Sequence, residues 1–593
     1  MRTIGQTLKW LFVLVIAGGL AAGGYAYYVW TESDDILAQT LRNRLHEIAP
    51  DWHVDFKHIR FDMQGRIRIR DFSLKTADGQ SPLLDVGEVV LTLDQERLAD
   101  PQPPVKFVNW TKVRLHAVRE ADGQWNFQKL TPPKLDKNAL PEFHIEHGTI
   151  FLEFRDGTAT TSQAAADTVQ IDNFHVRMIP RGSRQFLVKV SAKFPGSEGI
   201  STEGNWQVDD HTWNISGQVK NLILDGALSK LAARASPDCR SGLARLDSLL
   251  MQRLPAGNAT AQGVAGGTRP VSSGLAGNPA DDLADDPVSR LGFRASADIQ
   301  FHVAQGGTSA EKEYSLSIHL LQGALATPPA PFPLTDLRGQ IDIDNQQIRF
   351  RELTAQSGQV NFRIQQGRVF NHGDLRPADF DLKITGLPLD ERLPGLLPEF
   401  IQKIYRDLQP GGEADLIARL EFDGRDHWSH DCDLFVRNGS ASHKLFPYRI
   451  DQVQGTLKRR ANLIDISMQG RAGLQKVVMN GKVRNPGPEA ETRIVIETAG
   501  IPIDERLRNA CPEKFRNVID QLQAEGDLEG KVTLYRPAGI GQIVTIEVDQ
   551  RVSDGSINCR HFPYALSGVS GRFHGSGETW VFEEFQGRHG PAE

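Results

Sequence analysis

One phrase occurs twice in this chain. "ITGLPLDERLPG" begins at Ile384 and "ETAGIPIDERLRN" at Glu497, so Asp390 and Asp504 stand 114 residues apart. A second pair follows: Phe446-Pro447-Tyr448 leads to Gly455, and Phe562-Pro563-Tyr564 leads to Gly571, 116 residues on. Phe332-Pro333-Leu334 leads to Gly339 and lies 114 residues before Phe446, marking a third copy. Its opening motif, "VKNLILDGALSKL", keeps Asp225 in the place of Asp390 and Asp504. A fixed long period predicts stacked units that bury their edges on their neighbours, rather than one core serving all 593 residues.

The units read as strands. Phe186, Val188, Val190, Ala192 and Phe194 alternate with Leu187, Lys189, Ser191 and Lys193. Ile299, Phe301 and Val303 alternate with Gln300 and His302; Leu416, Ala418, Leu420 and Phe422 alternate with Ile417, Arg419 and Glu421. Alternation with period two puts one apolar and one wet face on each strand. Similar runs occupy 54–61, 67–74, 86–93, 150–154, 169–178, 341–350, 360–364 and 543–548, with Gly, Asp and Asn clustered between them as turns. The 55 glycines and 32 prolines suit many short strands better than a helix bundle.

Helical stripes follow the two Asp motifs. Apolar residues fall at Leu393, Leu396, Leu397, Phe400, Ile401, Ile404 and Leu408, and at Leu507, Ala510, Cys511, Phe515, Val518 and Leu522. Asp390 and Asp504 are expected as N-caps, with Glu391 and Glu505 in the first turn, where negative charge suits the helix dipole. A further helix is expected over 34–48. Each unit is then a short amphipathic helix followed by antiparallel strands. The expected organisation is an anchor at 1–31, a β region at 32–218, and three modules at 219–383, 384–497 and 498–593. The first module carries a flexible, apolar-poor insertion at 254–286, and the third stops short of the pattern of the second, as if the chain continued or this were a fragment.

Residues 10–30, "WLFVLVIAGGLAAGGYAYYVW", carry no charge and are long enough to cross a hydrocarbon core. Arg2 and Lys9 precede them and Glu32, Asp34 and Asp35 follow, which predicts a cytoplasmic N-terminus and an extracytoplasmic body. The stretch exceeds the apolar region of a cleaved signal peptide. A net charge of −7 and pI near 6.2 exert no global pull on nucleic acid. Cys239, Cys432, Cys511 and Cys559 are scattered, without the spacing of a disulfide framework or zinc site.

No catalytic constellation stands out. "DHWSHDCD" gathers Asp426, His427, His430, Asp431, Cys432 and Asp433, but this is no standard ligand spacing and reads better as a polar hairpin. "GSGETW" (575–580) lacks the strand-to-helix context of a phosphate loop. GxSxG and HExxH are absent, and carboxylate pairs such as Glu583-Glu584 have no supporting context. No catalytic residue, metal or cofactor is expected.

The layout resembles that of a known family. An anchor precedes "ILAQTLRNRL", "VDFKHIRFDMQGRIRIRDFSLKT", "LLDVGEVVLTLD" and "VRLHAVREADGQWNFQKL", the last carrying Asp122-Gly123-Gln124-Trp125-Asn126-Phe127. The order is similar to the start of AsmA-like proteins (the AsmA, TamB and YhdP group). The F-P-Y…G units with Phe332, Phe446, Phe562, Gly339, Gly455 and Gly571 look like that family's sheet modules. The resemblance implies a mainly β fold: a long, curved, groove-like antiparallel sheet of the chorein-like, bridge-type lipid-transfer kind. It further implies an inner-membrane-anchored periplasmic protein that helps phospholipid pass between inner and outer membranes beside an outer-membrane or envelope partner, with no nucleic acid and no enzymatic step. Phe186, Val188, Val190, Phe194, Ile299, Phe301, Leu416, Ala418, Leu420 and Phe422 are the candidate groove residues. Without the resemblance, the same alternation builds closed sandwiches, and the residues alone favour those. The alternative function is accordingly a non-enzymatic extracytoplasmic scaffold or outer-membrane assembly factor.

Overall fold

The structure, a computed structural model, describes residues 39, 42–43, 53–62, 64–75, 82–97, 105–120, 124–129, 141–154, 168–182, 185–207, 212–225, 228, 292–306, 312–326, 333–371, 376–394, 399–425, 427–577 and 579–590. The expected anchor at 10–30, the insertion at 254–286, Phe332, Asp426 and nearly all of the helix at 34–48 lie outside them. Among the described residues no helix is long and apolar enough to cross a membrane.

The protein is mainly β, with 26 strands among the described residues. They fall into two compact units divided between β13 and β14.

The first unit holds β1 (His53–Asp55), β2 (His58–Phe61), β3 (Arg66–Lys75), β4 (Pro82–Leu93), β5 (Val105–Arg119), β6 (Glu142–Phe154), β7 (Thr168–Pro180), β8 (Gln185–Lys193), β9 (Gly199–Gln207), β10 (Trp213–Leu224), β11 (Arg294–Gln305), β12 (Lys312–Ala324) and most of β13 (Thr335–Asp344). The expected strand 54–61 is broken at Phe56-Lys57, so that β1 and β2 both pair with β3, end to end. From β3 to β13 each strand pairs with the next. The β5–β6 pair is parallel and the others are antiparallel. A parallel pair needs a crossover instead of a hairpin. This crossover carries the short 3-10 turn Asn126–Lys129, with Trp125 and Phe127 packed into the core.

The second unit holds β14 (Gln347–Ser357), β15 (Val360–Phe370), β16 (Ala378–Pro388), β17 (Gly411–Phe422), β18 (Trp428–His443), β19 (Phe446–Arg460), β20 (Leu463–Ala472), β21 (Gln475–Arg484), β22 (Glu491–Pro502), β23 (Glu525–Arg536), β24 (Thr545–Cys559), β25 (Phe562–Ser576) and β26 (Thr579–Arg588). Each pairs antiparallel with the next. The run 341–350, expected as one strand, turns at Asn345-Gln346 and becomes β13 and β14. The duplication is visible strand by strand: β17 returns as β23 displaced by 114 residues, and β20 as β26 displaced by 116. The period is six strands, since β17–β22 separate one copy from the next.

Among the described residues three helices with given bounds sit at the joints: α1 (Glu399–Leu408), α2 (Glu505–Ala510) and α3 (Glu513–Leu522). The stripe after Asp504 was expected as one helix. Pro512 lacks the N–H that would continue it, and the chain makes two helices instead. The tip of the β18–β19 hairpin is tied to α1 by Lys444 N–H donating to Asp407 O (2.7 Å). The β24–β25 tip is tied to α3 in the same way, by Arg560 N–H to Gln521 O (2.9 Å).

Candidate functional site

Directly opposed residues on neighbouring strands share a face, so the registers trace rows of side chains across a sheet. In the second unit one row starts at Ala355 and passes through Phe362, Ile384, Leu416, Leu434, Leu457 and Ile466 to Gly481, Ile494, Leu534 and Ile546. Eleven consecutive strands contribute, and no polar side chain interrupts them. A parallel row runs from Ala414 through Val436, Gly455, Met468, Met479 and Ile496 to Val532, Val548, Gly575 and Trp580. In the first row Ala355 is buried, Ile546 is 51 % exposed, and every residue between is half-buried. Side chains with neighbours inside their own sheet and a second layer above would be fully buried. Here they are covered on their flanks and open on top.

The other face is charged. The row one residue along carries Arg363, Lys383, Ile417, Asp433, Lys458, Asp465, Lys482 and Arg493. Arg460 pairs with Asp433 (2.8 Å), Arg484 with Glu491 (3.1 Å), Arg572 with Asp549 (2.8 Å) and Arg363 with Glu352. Such exposed pairs add little stability, about 0–1 kcal/mol each. They do keep this face in water and settle which side of the sheet is left for apolar material.

The first unit begins differently. Its row through Ile67, Leu91, Val108, Phe143, Met178 and Val188 is at most 4 % exposed throughout. These residues form one closed core with Trp125 and Phe127 of the crossover. Asn126 clips the crossover down: its Oδ1 accepts from Val118 N (3.1 Å) and Phe127 N (2.9 Å), and its Nδ2 donates to His116 O (2.9 Å). The Trp125-Asn126-Phe127 segment is therefore structural. Beyond Val188 the row continues through Gly204 and Ile215 to Val303, which is half-buried, and Tyr314, which is exposed. The apolar face opens after β8.

The sequence-selected residues divide along this line. Phe186 and Val188 lie in the closed core, with Val190 packed at its margin. Phe194 is half-buried just past the end of β8. Ile299 and Phe301 belong to the open part of the first unit, where the Phe301 ring lies across Gly217; a Cβ there would meet it at 2.6 Å. Leu416, Leu420 and Phe422 are half-buried on the open face of the second unit, and Ala418 is buried between Leu382 and Cys432.

His430 and Cys432 also face this side, opposite Leu420 and Ala418, whereas Asp431 and Asp433 point to the charged side. The pleat thus separates the nitrogen and sulfur groups from the carboxylates. Among the described residues no His, Cys, Asp and Glu cluster could hold a metal. Burial, helped by the Arg459 charge, lowers the His430 pKa, and burial raises that of the Cys432 thiol. Both side chains are held in the neutral forms that an apolar face tolerates.

At the joints, Asp504 caps α2 by accepting from Leu507 N (2.9 Å), and Asp225 makes the same bond with Leu228 N (3.0 Å). Asp390 differs. Its carboxylate takes Arg392, by the backbone N–H (3.0 Å) and the guanidinium, and it closes a turn; α1 is described from Glu399. Tyr405 ties α1 back to this turn through its hydroxyl on Asp390 O (3.0 Å). Burial, with the Asp390 charge, pushes the Tyr405 pKa up to about 12.

Of the repeated F-P-Y positions, Phe446 and Phe562 open β19 and β25 at exposed hairpin tips. Gly339 and Gly455 have φ of +139° and +153°, and Gly571 abuts the Phe585 ring. Sequence reasoning did not single out Met468, Met479, Ile496 and Val532, which are half-buried in the second open row. Alternation marks their strands one at a time, as in Ile464-Asp465-Ile466-Ser467-Met468, and only the register collects them into one row. The chain matches no known protein-family profile and no curated protein.

Proposed function

We propose that this chain is an AsmA-like, membrane-anchored extracytoplasmic protein that solvates the acyl chains of phospholipid on the open apolar face of its sheet. The observation that carries the proposal is the unbroken row from Ala355 to Ile546, half-buried at every position between its two ends, with ion pairs on the reverse side. Burying hydrocarbon is worth about 0.8 kcal/mol per CH₂, so two long acyl chains exposed to water cost on the order of 20 kcal/mol. A continuous apolar row lowers that cost along the whole path, and the head group stays in water beside it. No bond is made or broken, and the row supplies no direction. In this reading residues 10–30 anchor the protein in the inner membrane, the body lies in the periplasm, and an envelope partner receives the lipid.

The scaffold alternative draws on the closed core of β2–β8, which carries no hydrocarbon. It does not account for β14–β24, where a scaffold would gain by covering its apolar face.

The test is to purify residues 32–593, extract co-purifying lipid for mass spectrometry, and incorporate a photo-crosslinking residue at Leu457 or Lys458. Phospholipid recovered with the protein and crosslinked from 457 but not 458 supports the reading. A lipid-free protein that also takes no labelled phospholipid from liposomes would sink it.

A further inference from the structure

A third row crosses the apolar face of the second unit, two residues along from the first. It runs from Leu353 through Ile364, Leu382, Ala418 and Cys432 to Arg459, and on through Ile464, Val483 and Thr492 to Arg536. Two cations therefore share a face with the apolar rows, and they differ in what holds them. The main-chain carbonyls of Pro488 (2.6 Å), Gly539 (3.1 Å) and Gln542 (3.1 Å) accept from Arg536, as does that of Ala490. Arg459 is half-buried between Cys432 and Ile464, and its Nε is shut off from water with no hydrogen-bond partner among the described residues. The carboxylates of the flanking strands β18 and β20 alternate onto the reverse face and are engaged there. Asp433 pairs with Arg460 (2.8 Å), Asp431 accepts from Ala461 N (3.0 Å), and Asp465 faces Lys482 (3.8 Å). His430, diagonal to Arg459, is kept neutral by burial and then by the Arg459 charge itself.

We propose that Arg459 is a head-group site: it binds the phosphate of an amphiphile whose acyl chain lies on the first row at Leu434, Leu457 and Ile466. The inference rests on the reading of that row as a path for acyl chains. A guanidinium partly desolvated among apolar groups and answered by no carboxylate attracts an anion, and its planar fork matches the oxygens of a phosphate. Position supplies the rest. Arg459 is next to last in β19 and adjoins the Ala461-Asn462 turn, so it stands at the rim of the face, where a head group stays in water. Leu457 lies two residues further in on the same strand face, about 7 Å away, where a chain attached to that head would begin to meet apolar surface.

The test uses the full-length protein in non-ionic detergent at about pH 7.5, where His430 is neutral. Tail-labelled phosphatidylglycerol and diacylglycerol, which share their chains and differ in the phosphate, are titrated by fluorescence anisotropy. Phosphatidylglycerol should bind at least about tenfold more tightly. Arg459→Gln should remove that preference and leave diacylglycerol binding unchanged, which also reports that the sheet is intact. Arg459→Lys should keep part of the preference, because the ammonium retains the charge without the fork. Arg460→Gln, one residue along and on the reverse face, should keep all of it. Equal binding of the two lipids, or a preference that survives Arg459→Gln, overturns the inference and leaves the apolar row standing. Displacement of phosphatidylglycerol by inorganic phosphate at comparable concentration also overturns it, because the ligand would then be the free anion. If neither lipid binds, the reading of the row falls and this inference falls with it.

Discussion

Met468 faces Met479 across the β20–β21 pair, and both side chains are half-buried. Met178 occupies a comparable row position between Phe143 and Val188 but is 1 % exposed. The same residue type therefore samples a closed core and an open face in one chain. Met178→Ala should cost about 2–5 kcal/mol, the usual range for emptying a packed site. Met479→Ala removes side chain already in contact with water and should cost about 1 kcal/mol or less. Chemical denaturation of both variants checks the contrast. Equal losses would mean that the second unit's face is covered after all.

Gly455 lies in the second open row, between Val436 and Met468, with φ +153°. A Cβ there would meet Ser467 O at 2.2 Å. Gly455→Ala should therefore destabilise by more than about 2 kcal/mol, from strain and from strands pushed apart. Gly568 also has positive φ, +59°, but has open space around it, and Gly568→Ala should cost about 1 kcal/mol. A thermal melt of both variants separates strand approach from backbone conformation.

Asp504→Ala removes a cap whose bond to Leu507 N is 2.9 Å, and should cost about 1 kcal/mol. Asp390→Ala loses only an exposed pair with Arg392 and the turn it closes, and should cost less. Identical motifs would then have unequal weights, as denaturant midpoints can show. The Arg392 hydrogen bond lowers the Asp390 pKa, so its contribution is present above the ordinary carboxylate range and fades as pH falls through the depressed folded value. Asp390→Ala should flatten the acid limb of the stability curve.

Much of this fold is legible in the sequence because alternation and a long repeat are both local patterns. Lys189 between Val188 and Val190, and Ser191 between Val190 and Ala192, announce a strand without any knowledge of its neighbours. Whether that strand is covered is a different matter. Phe186 and Leu416 look alike in sequence. Phe186 is closed over in a core shared with a crossover segment 60 residues upstream, while Leu416 has only its flanking strands. Pairing register, the β5–β6 parallel step and the break at Pro512 all depend on contacts distant in sequence or on a single imino acid, and those decide where the apolar face is open.

His430 gives the open face a pH response. Burial lowers its pKa, so the folded protein holds it neutral, and its stabilising contribution is present above the ordinary imidazole range. That contribution is lost as pH falls from about 6.5 toward the depressed folded value. Protonation would also place a charge opposite Leu420 on the apolar side. Uptake of a fluorescent phospholipid should hold through the ordinary imidazole range and fall only below it, as pH drops through the depressed folded value, and His430→Leu should remove the fall. An unchanged pH profile in His430→Leu would place the titrating group elsewhere.

Leu416 and Ile417 are neighbours that point to opposite faces. Leu416 stands in the apolar row between Ile384 and Leu434, while Ile417 is 46 % exposed between Lys383 and Asp433. Neither is fully buried, so aspartate at either position leaves its carboxylate in reach of water and the sheet should still form. The consequences for a bound acyl chain differ. Leu416→Asp puts a charge in the middle of the row, and a chain passing it must strip water from a carboxylate, a cost of several kcal/mol in an apolar setting. Ile417→Asp adds one charge to a face already carrying Arg and Lys. Circular dichroism should be unchanged in both, and phospholipid uptake from liposomes should fall at least about tenfold in Leu416→Asp alone. Equal uptake by the two variants would mean that acyl chains do not travel along this row.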